Sequence, residues 1–487
     1  MSNYKHGIYI SQSATVTPVS NKATGSIQAV VGVAPINLIS NPAGAVNKPI
    51  LLSSIDDVAE YIGYSTDVNK FTLMQAVHAT FEIFSTAPII AINVLDPSKH
   101  ATAKTSSASL SGGVLTIEDT GVLLSTLKLT SSDGTVTYVS GTDYTAAFNS
   151  DGTVLVTRVS SSTALTATST ISIGYSILDT TKVTDADIVA GIAVINKAFQ
   201  ITGVVPEILL APGYSQNKVV SSALITAAQS VSCVFEATAL VDIDAKANTT
   251  IDAAIAVKST NSLAVRDAIL CYPKVTTSQG KTVYMSAQLG ALMQYVDSQN
   301  ESTPFVSPSN KDFKIIAAVL DDTDKTQILY TLDEANRLNG EGIFTAINFD
   351  GWKSWGNNTG IYSLTAVDVG ETIDVKDRYI NIKRAFDWQN NGFIRRYFSK
   401  IDSPLNLKAI QTLITDENQY YNAFIAVGYV AGMSITYNQA DNPTSQILNG
   451  TIKFKQSITP YTPMEVVENT LQFDPTTLET ALEGSAN

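Results

Sequence analysis

Three aspartates, Asp321, Asp322 and Asp324, form the densest acidic cluster of the sequence. Carboxylate oxygens suit Ca²⁺, and an EF-hand loop adds a glycine at its sixth position and a glutamate at its twelfth. Counted from Asp321, those positions hold Thr326 and Leu332. The cluster therefore predicts a solvated turn rather than a cation site.

Histidine, the side chain most used in acid–base catalysis and zinc binding, is scarce in this chain. Its three copies, His6, His78 and His100, lie within the first 100 residues, far in sequence from the later helix–strand repeats. Phosphate-loop, dinucleotide-binding, zinc-protease and serine-hydrolase motifs are missing from the sequence. The turn at 211–213 (Ala-Pro-Gly) resembles a place where anions meet a helix start, but any strand-to-helix connection needs such residues. We predict no catalytic, cofactor-binding or metal site.

A basic segment in an acidic chain points instead to binding. Lys and Arg number 31 against 44 Asp and Glu, a net charge of −13, which argues against nucleic acid as a primary partner. The segment 376–400, however, contains seven basic side chains and only two acidic ones. They are Lys376, Arg378, Lys383, Arg384, Arg395, Arg396 and Lys400. The pattern predicts a long polar-faced helix that either is solvated or faces an acidic partner.

The elements that would position these residues are those of a multidomain α/β protein. The chain has 487 residues, of which 44% are apolar, enough for two to four domains. Apolar strands alternate with helices from residue 185 onward, which predicts a central, mostly parallel sheet with helices on both faces. Cys233 and Cys271 stand in apolar stretches, which predicts buried, reduced thiols on strands.

Composition divides the chain into six parts. Residues 1–24 predict an extended N-terminal arm, 25–96 a small α/β domain, and 97–180 an inserted β-rich module with hairpin signals such as Asp133-Gly134. In the Ser/Thr-rich stretch 157–172 we expect an exposed strand, since Leu165 and Ile171 give it something to bury. The remaining parts are a central α/β domain (181–360), a C-terminal α/β core (361–448), and a C-terminal strand arm and tail (449–487).

Several strings, in order along nearly the whole chain, resemble the sheath proteins of contractile phage tails and related bacteriocin particles. They are VVGVAP from Val30, PILLSSIDDVAEYIG from Pro49, TLMQAVHATFEIF from Thr72, VPEILLAPG from Val205, RDAILCYP from Arg266, LNGEGIFTAINFDGWKSWGNNT from Leu338 and GTIKFKQSITPYTPMEVV from Gly450. SPSN at 307–310 also fits, although the stretch before it lacks an expected Gly-Trp pair.

The resemblance implies a structural subunit, not an enzyme. Such subunits stack as six-membered rings into a helical sheath around a tail tube protein, with baseplate and tail terminator proteins at the ends, and contract to drive the tube through a bacterial envelope. Terminal arms add strands to neighbouring subunits, which makes Ile8, Ile10, Ile452 and Phe454 candidates for contacts between subunits. Lys383, Arg384, Arg395 and Arg396 are candidates to face the tube.

The expected location is a virion or phage-tail-like particle assembled in the bacterial host cytoplasm. A signal peptide and long apolar segments are lacking, so we expect no membrane insertion and no direct contact with nucleic acid. Whether the particle is a phage or a bacteriocin stays open. The alternative function is that of a cytoplasmic α/β enzyme of unknown substrate that uses the crevice of its sheet.

Overall fold

The computed structural model describes residues 26–483, and the chain forms two compact units that divide between Asn406 and Leu407. The predicted N-terminal arm, with Ile8 and Ile10, lies outside the described residues. The class is mixed α/β with several sheets, as predicted.

The strands in chain order are β1 (Ile27–Gly32), β2 (Ile50–Leu52), β3 (Ile89–Asn93), β4 (Ala101–Ser109), β5 (Val114–Ile117), β6 (Lys128–Ser131), β7 (Thr137–Tyr138), β8 (Tyr144–Phe148), β9 (Val154–Arg158), β10 (Thr170–Leu178), β11 (Pro206–Leu210), β12 (Thr238–Asp242), β13 (Ala268–Cys271), β14 (Lys274–Thr277), β15 (Thr282–Val283), β16 (Ile315–Val319), β17 (Gln327–Ile328), β18 (Ile343–Asn348), β19 (Trp352–Trp355), β20 (Val430–Thr436) and β21 (Lys455–Pro460). The α-helices are α1 (Ile55–Tyr61), α2 (Leu73–Val77), α3 (Asp185–Val194), α4 (Ala198–Thr202), α5 (Lys218–Gln229), α6 (Ile251–Thr260), α7 (Met285–Gln299), α8 (Leu332–Gly340), α9 (Leu364–Asp368), α10 (Val375–Arg378), α11 (Ile380–Tyr397), α12 (Leu407–Val427), α13 (Thr444–Leu448) and α14 (Pro475–Glu483).

The main sheet of the first unit has eight strands in the order β19-β18-β13-β12-β11-β1-β3-β2. The six inner strands pair in parallel, and an antiparallel strand closes each side. Strands such as β1 and β12 are buried at every position, which explains their near-continuous apolar sequences. The helices α3 and α5 pack on one another and on the sheet, and α2 and α7 form a second such pair.

The predicted small domain at 25–96 is wrong as a separate body. Its first strand, β1, pairs with β3 on one side and with β11 on the other, so Ala29 lies beside both Ile90 and Leu209. β1 is buried at every position between these two strands, so residues 25–96 are part of the eight-stranded sheet. The division between the two units also leaves α10 and α11 in the first unit rather than in a domain that begins at residue 361.

The β-rich module has its own apolar core, built by a four-stranded sheet (β4-β10-β6-β7) and a three-stranded sheet (β5-β9-β8). Val156 and Ile171 are fully buried in this core. The Ser/Thr-rich stretch 157–172 begins with the last two residues of β9, continues as a loop, and becomes strand again at Thr170. Leu165 lies in the preceding loop and is fully buried in the module's core. Arg158 Nε donates to its carbonyl and its own N–H donates to Ser162 Oγ, which holds the loop in place.

The two cysteines differ from each other. Cys271 is buried on β13, and this burial raises the pKa of its thiol. The prediction for Cys233 is wrong, since this residue is exposed in a turn with a φ of 66°. Its neighbours Val231 and Phe235 close the turn with backbone hydrogen bonds and take the buried positions that the apolar pattern had indicated.

The second unit pairs β20 with β21 in an antiparallel sheet of two strands. The helix α12 packs on β20, and Asn418 exchanges two hydrogen bonds with the backbone of Ile435. No regular structure follows between Pro460 and α14. This stretch, which we call the exposed tail (461–474), matters for assembly below.

Candidate assembly surfaces

The helix α11 is bound to the amino-terminal ends of the central strands by buried ion pairs. Lys383 Nζ lies 2.6 Å from Asp387 Oδ2 and 3.1 Å from Asp267 Oδ1, and it donates to the carbonyl of Ala237 at 2.7 Å. The side chain of Lys383 is only 1% exposed. Burial raises the pKa of Asp387 to about 6, although the ammonium of Lys383 opposes the shift.

Arg384 makes the second buried pair of the same helix. Its guanidinium contacts Asp297 and donates to Ser26 Oγ at 2.8 Å, and its side chain is 4% exposed. Because Ser26 also donates to Glu207, the pair ties α11 to the residue before β1 and to β11. The expectation that Lys383 and Arg384 face a tube is therefore corrected, since both cations are used inside the subunit.

Arg395 and Arg396 lie on the last turn of α11 and have different surroundings. Arg395 is exposed, whereas Arg396 is half-buried with Nη2 at 3.5 Å from Gln389 Oε1. Phe398 and Ile401, just beyond the helix, are 73% and 67% exposed. This end of α11 thus combines a positive charge with apolar side chains open to solvent, and a tube-facing role for the two arginines stays a prediction.

Sequence reasoning missed the asparagines that hold α11. Asn391 donates to the carbonyl of Glu236 at 2.7 Å and accepts from the N–H of the same residue, and Asn381 donates to the carbonyl of Phe305. Asparagine is disfavoured in helix interiors because it competes for backbone hydrogen bonds. The presence of several asparagines inside one predicted helix is the feature of the sequence that indicates these tertiary contacts.

The predicted arm residues Ile452 and Phe454 precede β21 and are half-buried within their own unit. The ring of Phe454 lies 6.3 Å from that of Tyr437, and Asn442 clamps the backbone of Lys453 with hydrogen bonds of 2.7 and 2.9 Å. These residues thus stabilise the β20–β21 hairpin. Their predicted contact with a neighbouring subunit stays untested.

The exposed tail carries six of the twelve large apolar side chains that are exposed in residues 407–483. Leu471 is 93% exposed and Met464 is 83% exposed. The other exposed apolar side chains of this segment are Tyr461, Val466, Val467 and Phe473. A two-stranded sheet also has an open edge on each strand, where a further strand can pair.

The carboxyl-terminal edge of the main sheet holds a buried carboxylate. Asp242 accepts hydrogen bonds from Ser286 N, Ser286 Oγ and Ser215 Oγ, and burial raises its pKa to about 6 despite these bonds. These contacts join the end of β12 to the start of α7. Asp242 therefore stabilises the contact between the end of β12 and the start of α7.

A hydrogen-bonded chain with the residue types of a hydrolase triad joins Thr277 to His78 and Glu82, both of which lie in the π-helical turn His78–Ile83. His78 Nδ1 lies 2.7 Å from Glu82 Oε2, and Nε2 lies 3.0 Å from Thr277 Oγ1. Thr277 is fully buried and His78 is 1% exposed, so no substrate can reach the hydroxyl. Burial lowers the pKa of His78.

The acidic cluster lies in a turn, and two of its three aspartates have local partners. Asp321 lies 3.1 Å from Lys274 Nζ and 2.8 Å from Lys325 Nζ, and Asp322 accepts from the Thr326 backbone. Across residues 26–483, no three His, Cys, Asp or Glu side chains are grouped as metal ligands would be. Among the helices of that range, none combines the length and the apolarity needed to span a bilayer.

Comparison with known proteins gives relatives over nearly the full length. The chain is 25% identical to the tail sheath protein of Burkholderia phage BcepMu, and the match covers 94% of each chain. Its fold is similar to that in the contracted sheath complex of PVC, an extracellular contractile injection system (TM-score 0.57, 15% identity, 98% and 99% coverage). It is also similar to a chain of the anti-feeding prophage baseplate (TM-score 0.56, 13% identity, 97% and 100% coverage).

No protein-family model matches the sequence. The similarity to a phage tail sheath protein nevertheless covers 94% of the chain, and chains of contractile injection systems have a similar fold over nearly their full length. The chain is thus similar in sequence to phage tail sheath proteins and similar in fold to chains of contractile injection systems.

Proposed function

We propose that this chain polymerises into stacked six-membered rings around a tail tube, and that contraction of this sheath drives the tube through a bacterial envelope. Support comes from the relative named as a tail sheath protein and from similar folds in a contracted sheath and in a baseplate symmetrised six-fold. The proposed partners are copies of the same chain, the tail tube protein, and the baseplate and terminator proteins at the ends. The proposed location is the sheath of a phage tail or phage-tail-like particle.

One observation carries the proposal for assembly: the exposed tail presents apolar side chains directly after a sheet with open edges. An isolated soluble subunit gains nothing from leaving Leu471 or Val466 in water. Each such side chain contributes roughly 1.5–3 kcal/mol when it is fully buried. A neighbouring subunit that accepts this segment would bury its apolar side chains and pair its backbone.

Strand addition of this kind is heterologous, since the donor segment and the acceptor sheet are different surfaces. Heterologous contacts generate rings or open helices instead of closed dimers, as a sheath requires. An assembled lattice linked by backbone pairing can also change its core-to-core contacts without falling apart. The extended lattice would then be a kinetically trapped state, and new contacts in the contracted lattice would supply the work without a nucleotide.

Electron microscopy of the purified full-length chain tests the proposal. We expect negative-stain images at increasing protein concentration to show sleeves of stacked rings with six-fold end views. A chain that stays monomeric at every concentration, both alone and with its tail tube protein, would contradict the proposed polymerisation.

A further inference from the structure

The contact between α11 and the amino-terminal ends of the central strands contains more buried negative charge than positive charge. We call the charged groups at this contact the seat of α11. Its cations are Lys383 and Arg384, and its carboxylates are Glu207, Asp267, Asp297 and Asp387. Both cations and three of the carboxylates are less than a tenth exposed, and Glu207 is half-buried. With every group ionised, the seat holds two more negative than positive charges.

Lys383 is shared by two carboxylates of the seat. Its Nζ lies 2.6 Å from Asp387 Oδ2 and 3.1 Å from Asp267 Oδ1, so these two oxygens are at most about 6 Å apart, and like charges at this separation disfavour ionisation of one of them. Asp267 also accepts a hydrogen bond from Gln229 Nε2 at 3.2 Å. Within residues 26–483, the carboxylate of Asp387 is hydrogen-bonded to Lys383 alone. Asp387 is therefore the member of this pair that takes up a proton more readily.

Arg384 is shared in a similar way. Its guanidinium contacts Asp297 directly, and its Nη2 donates to Ser26 Oγ at 2.8 Å. Ser26 Oγ in turn donates to Glu207 Oε2 at 2.7 Å, so the guanidinium reaches Glu207 only through a hydroxyl group. Among the described residues, Glu207 is thus a second carboxylate of the seat that has no cation of its own.

The charged groups at the rim of the seat supply no spare cation from the part of the chain that the structure describes. Arg266 lies 3.1 Å from Asp377, 3.5 Å from Asp267 and 3.6 Å from Glu236, so it already faces three carboxylates. The exposed Lys376 lies 3.6 Å from Asp377. Glu236 also repels negative charge on the neighbouring carboxylates of the seat. Two protons would balance the charges of the seat.

The protonation of the two carboxylates depends on the attachment of the helix. Burial raises the pKa of Asp387 to about 6 and that of Glu207 to about 7, against the effect of the nearby cations. A carboxyl group in water has a pKa of about 4, so the attached helix binds more protons than a detached one between these values. The attachment is therefore strongest in acid and weakens as the pH rises through 6 and 7.

We infer that α11 is attached by a proton-dependent contact, in which Asp387 and Glu207 take up protons in neutral to mildly acidic surroundings and thereby fasten the helix to the strand ends. Without these protons, the excess negative charges repel each other and favour opening of the seat to water. Every group of the seat belongs to the first unit, so the effect does not depend on polymerisation. It goes beyond the proposed function, because the surroundings then set how firmly the exposed end of α11, with Arg395, is held.

Hydrogen exchange measured by mass spectrometry on the full-length chain tests this attachment. After correction for the intrinsic effect of pH on exchange, the protection of backbone amides in α11 should rise at least about tenfold between pH 7.5 and pH 5, because each proton taken up contributes up to about tenfold per pH unit. The amides of α5, in the same unit, report global unfolding and should change less. Protection of α11 that stays constant, or changes only as much as that of α5, would overturn the inference.

Two neutral variants locate the effect. Asp387→Asn and Glu207→Gln imitate the protonated carboxyl groups, so α11 in each should already be protected at pH 7.5 and should depend less on pH. The double variant should lose the dependence, whereas Asp252→Asn, which neutralises an exposed carboxylate on α6, should behave as the parent does. A folded double variant that keeps the pH dependence of the parent would show that other groups carry it. If a variant does not fold, the measurement on the parent chain still decides.

Discussion

Ala101 and Leu178 face each other across the ladder of β4 and β10, so the β-rich module leaves the main fold and returns to it through two paired residues. Directly opposed residues of antiparallel strands lie about 4.5–5.5 Å apart at Cα. The two ends of the module therefore lie as close together as the two ends of a tight hairpin turn. Leu123 is a side chain of the module that enters the main apolar core.

Replacing Thr102–Ile177 by a Gly/Ser linker of about four residues should leave a folded subunit that still forms sleeves. The lost packing of Leu123 should cost roughly 1.5–3 kcal/mol, seen as a lower Tm. Circular dichroism and negative-stain microscopy measure the two effects. Loss of sleeves from a protein that still unfolds cooperatively would show that the module takes part in the lattice.

Removal of residues 461–487 should abolish sleeves while the β20–β21 hairpin remains, because Asn442 and Asn418 hold that hairpin without the tail. The matched control removes only 475–487, which deletes α14 and keeps the exposed tail. We expect the control to polymerise. Sleeves formed by the longer truncation would mean that contacts between rigid cores hold the lattice.

Arg395→Glu should weaken capture of the tail tube, most at low salt, and leave sheath-only polymers intact. Exposed ion pairs are worth roughly 0–1 kcal/mol each, which allows a tube to slide during contraction. The measurement is co-sedimentation of tube with sheath at two ionic strengths. Lys197→Glu, which reverses an exposed charge elsewhere, serves as the control. Equal capture of the tube by both variants would show that Arg395 does not contact the tube.

Lys383→Met should lower the free energy of unfolding by about 3–5 kcal/mol, because Asp387 and Asp267 would keep buried negative charge without their cation. The double variant Lys383→Met, Asp387→Leu should recover part of the loss, since an apolar pair replaces an ionic one. Thermal unfolding measures both. A single variant as stable as the parent would show that water reaches this part of α11.

Asp242 should make the protein more stable at mildly acidic pH. Its folded pKa of about 6 exceeds the value near 3.9 expected for an unfolded aspartate, so between these values the folded state binds more protons. The free energy of unfolding from this group then falls as pH rises from about 4 to about 6, by up to about 1.4 kcal/mol per pH unit.

Asp242→Asn should flatten the dependence of Tm on pH in this window. Asp322→Asn is the control, since hydrogen bonds from Thr326 lower the pKa of that carboxyl, the opposite direction from Asp242. A slope that Asp242→Asn leaves unchanged would assign the effect to other buried carboxyls, of which Glu207, with a pKa raised to about 7 by burial, is the next to replace.

The local sequence pattern predicted the helices and strands, but it did not predict which strands pair with each other. The alternation of apolar strands and helices from residue 185 onward is present in the structure as α3, β11, α5, β12, α6 and β13. The pairing of Ile27–Gly32 with Pro206–Leu210 was missed, because strand order depends on contacts across the inserted module, and no periodicity records them.

The assembly residues show the same limit. Basic side chains of α11 read alike in sequence, yet Lys383 is buried and Arg395 is exposed, because the helix has one face on the strand ends.

The position of β1 in the middle of the main sheet also affects synthesis. A ribosome releases β1 long before β11. One edge of β1 can pair early with β3, but its other edge can be covered only after the module, α3 and β11 have emerged. The module can meanwhile fold on its own core, whereas the amino-terminal strands wait with apolar surface uncovered. Nascent chains shorter than about 210 residues should therefore be the ones that bind chaperones, and completion of β11 should release them.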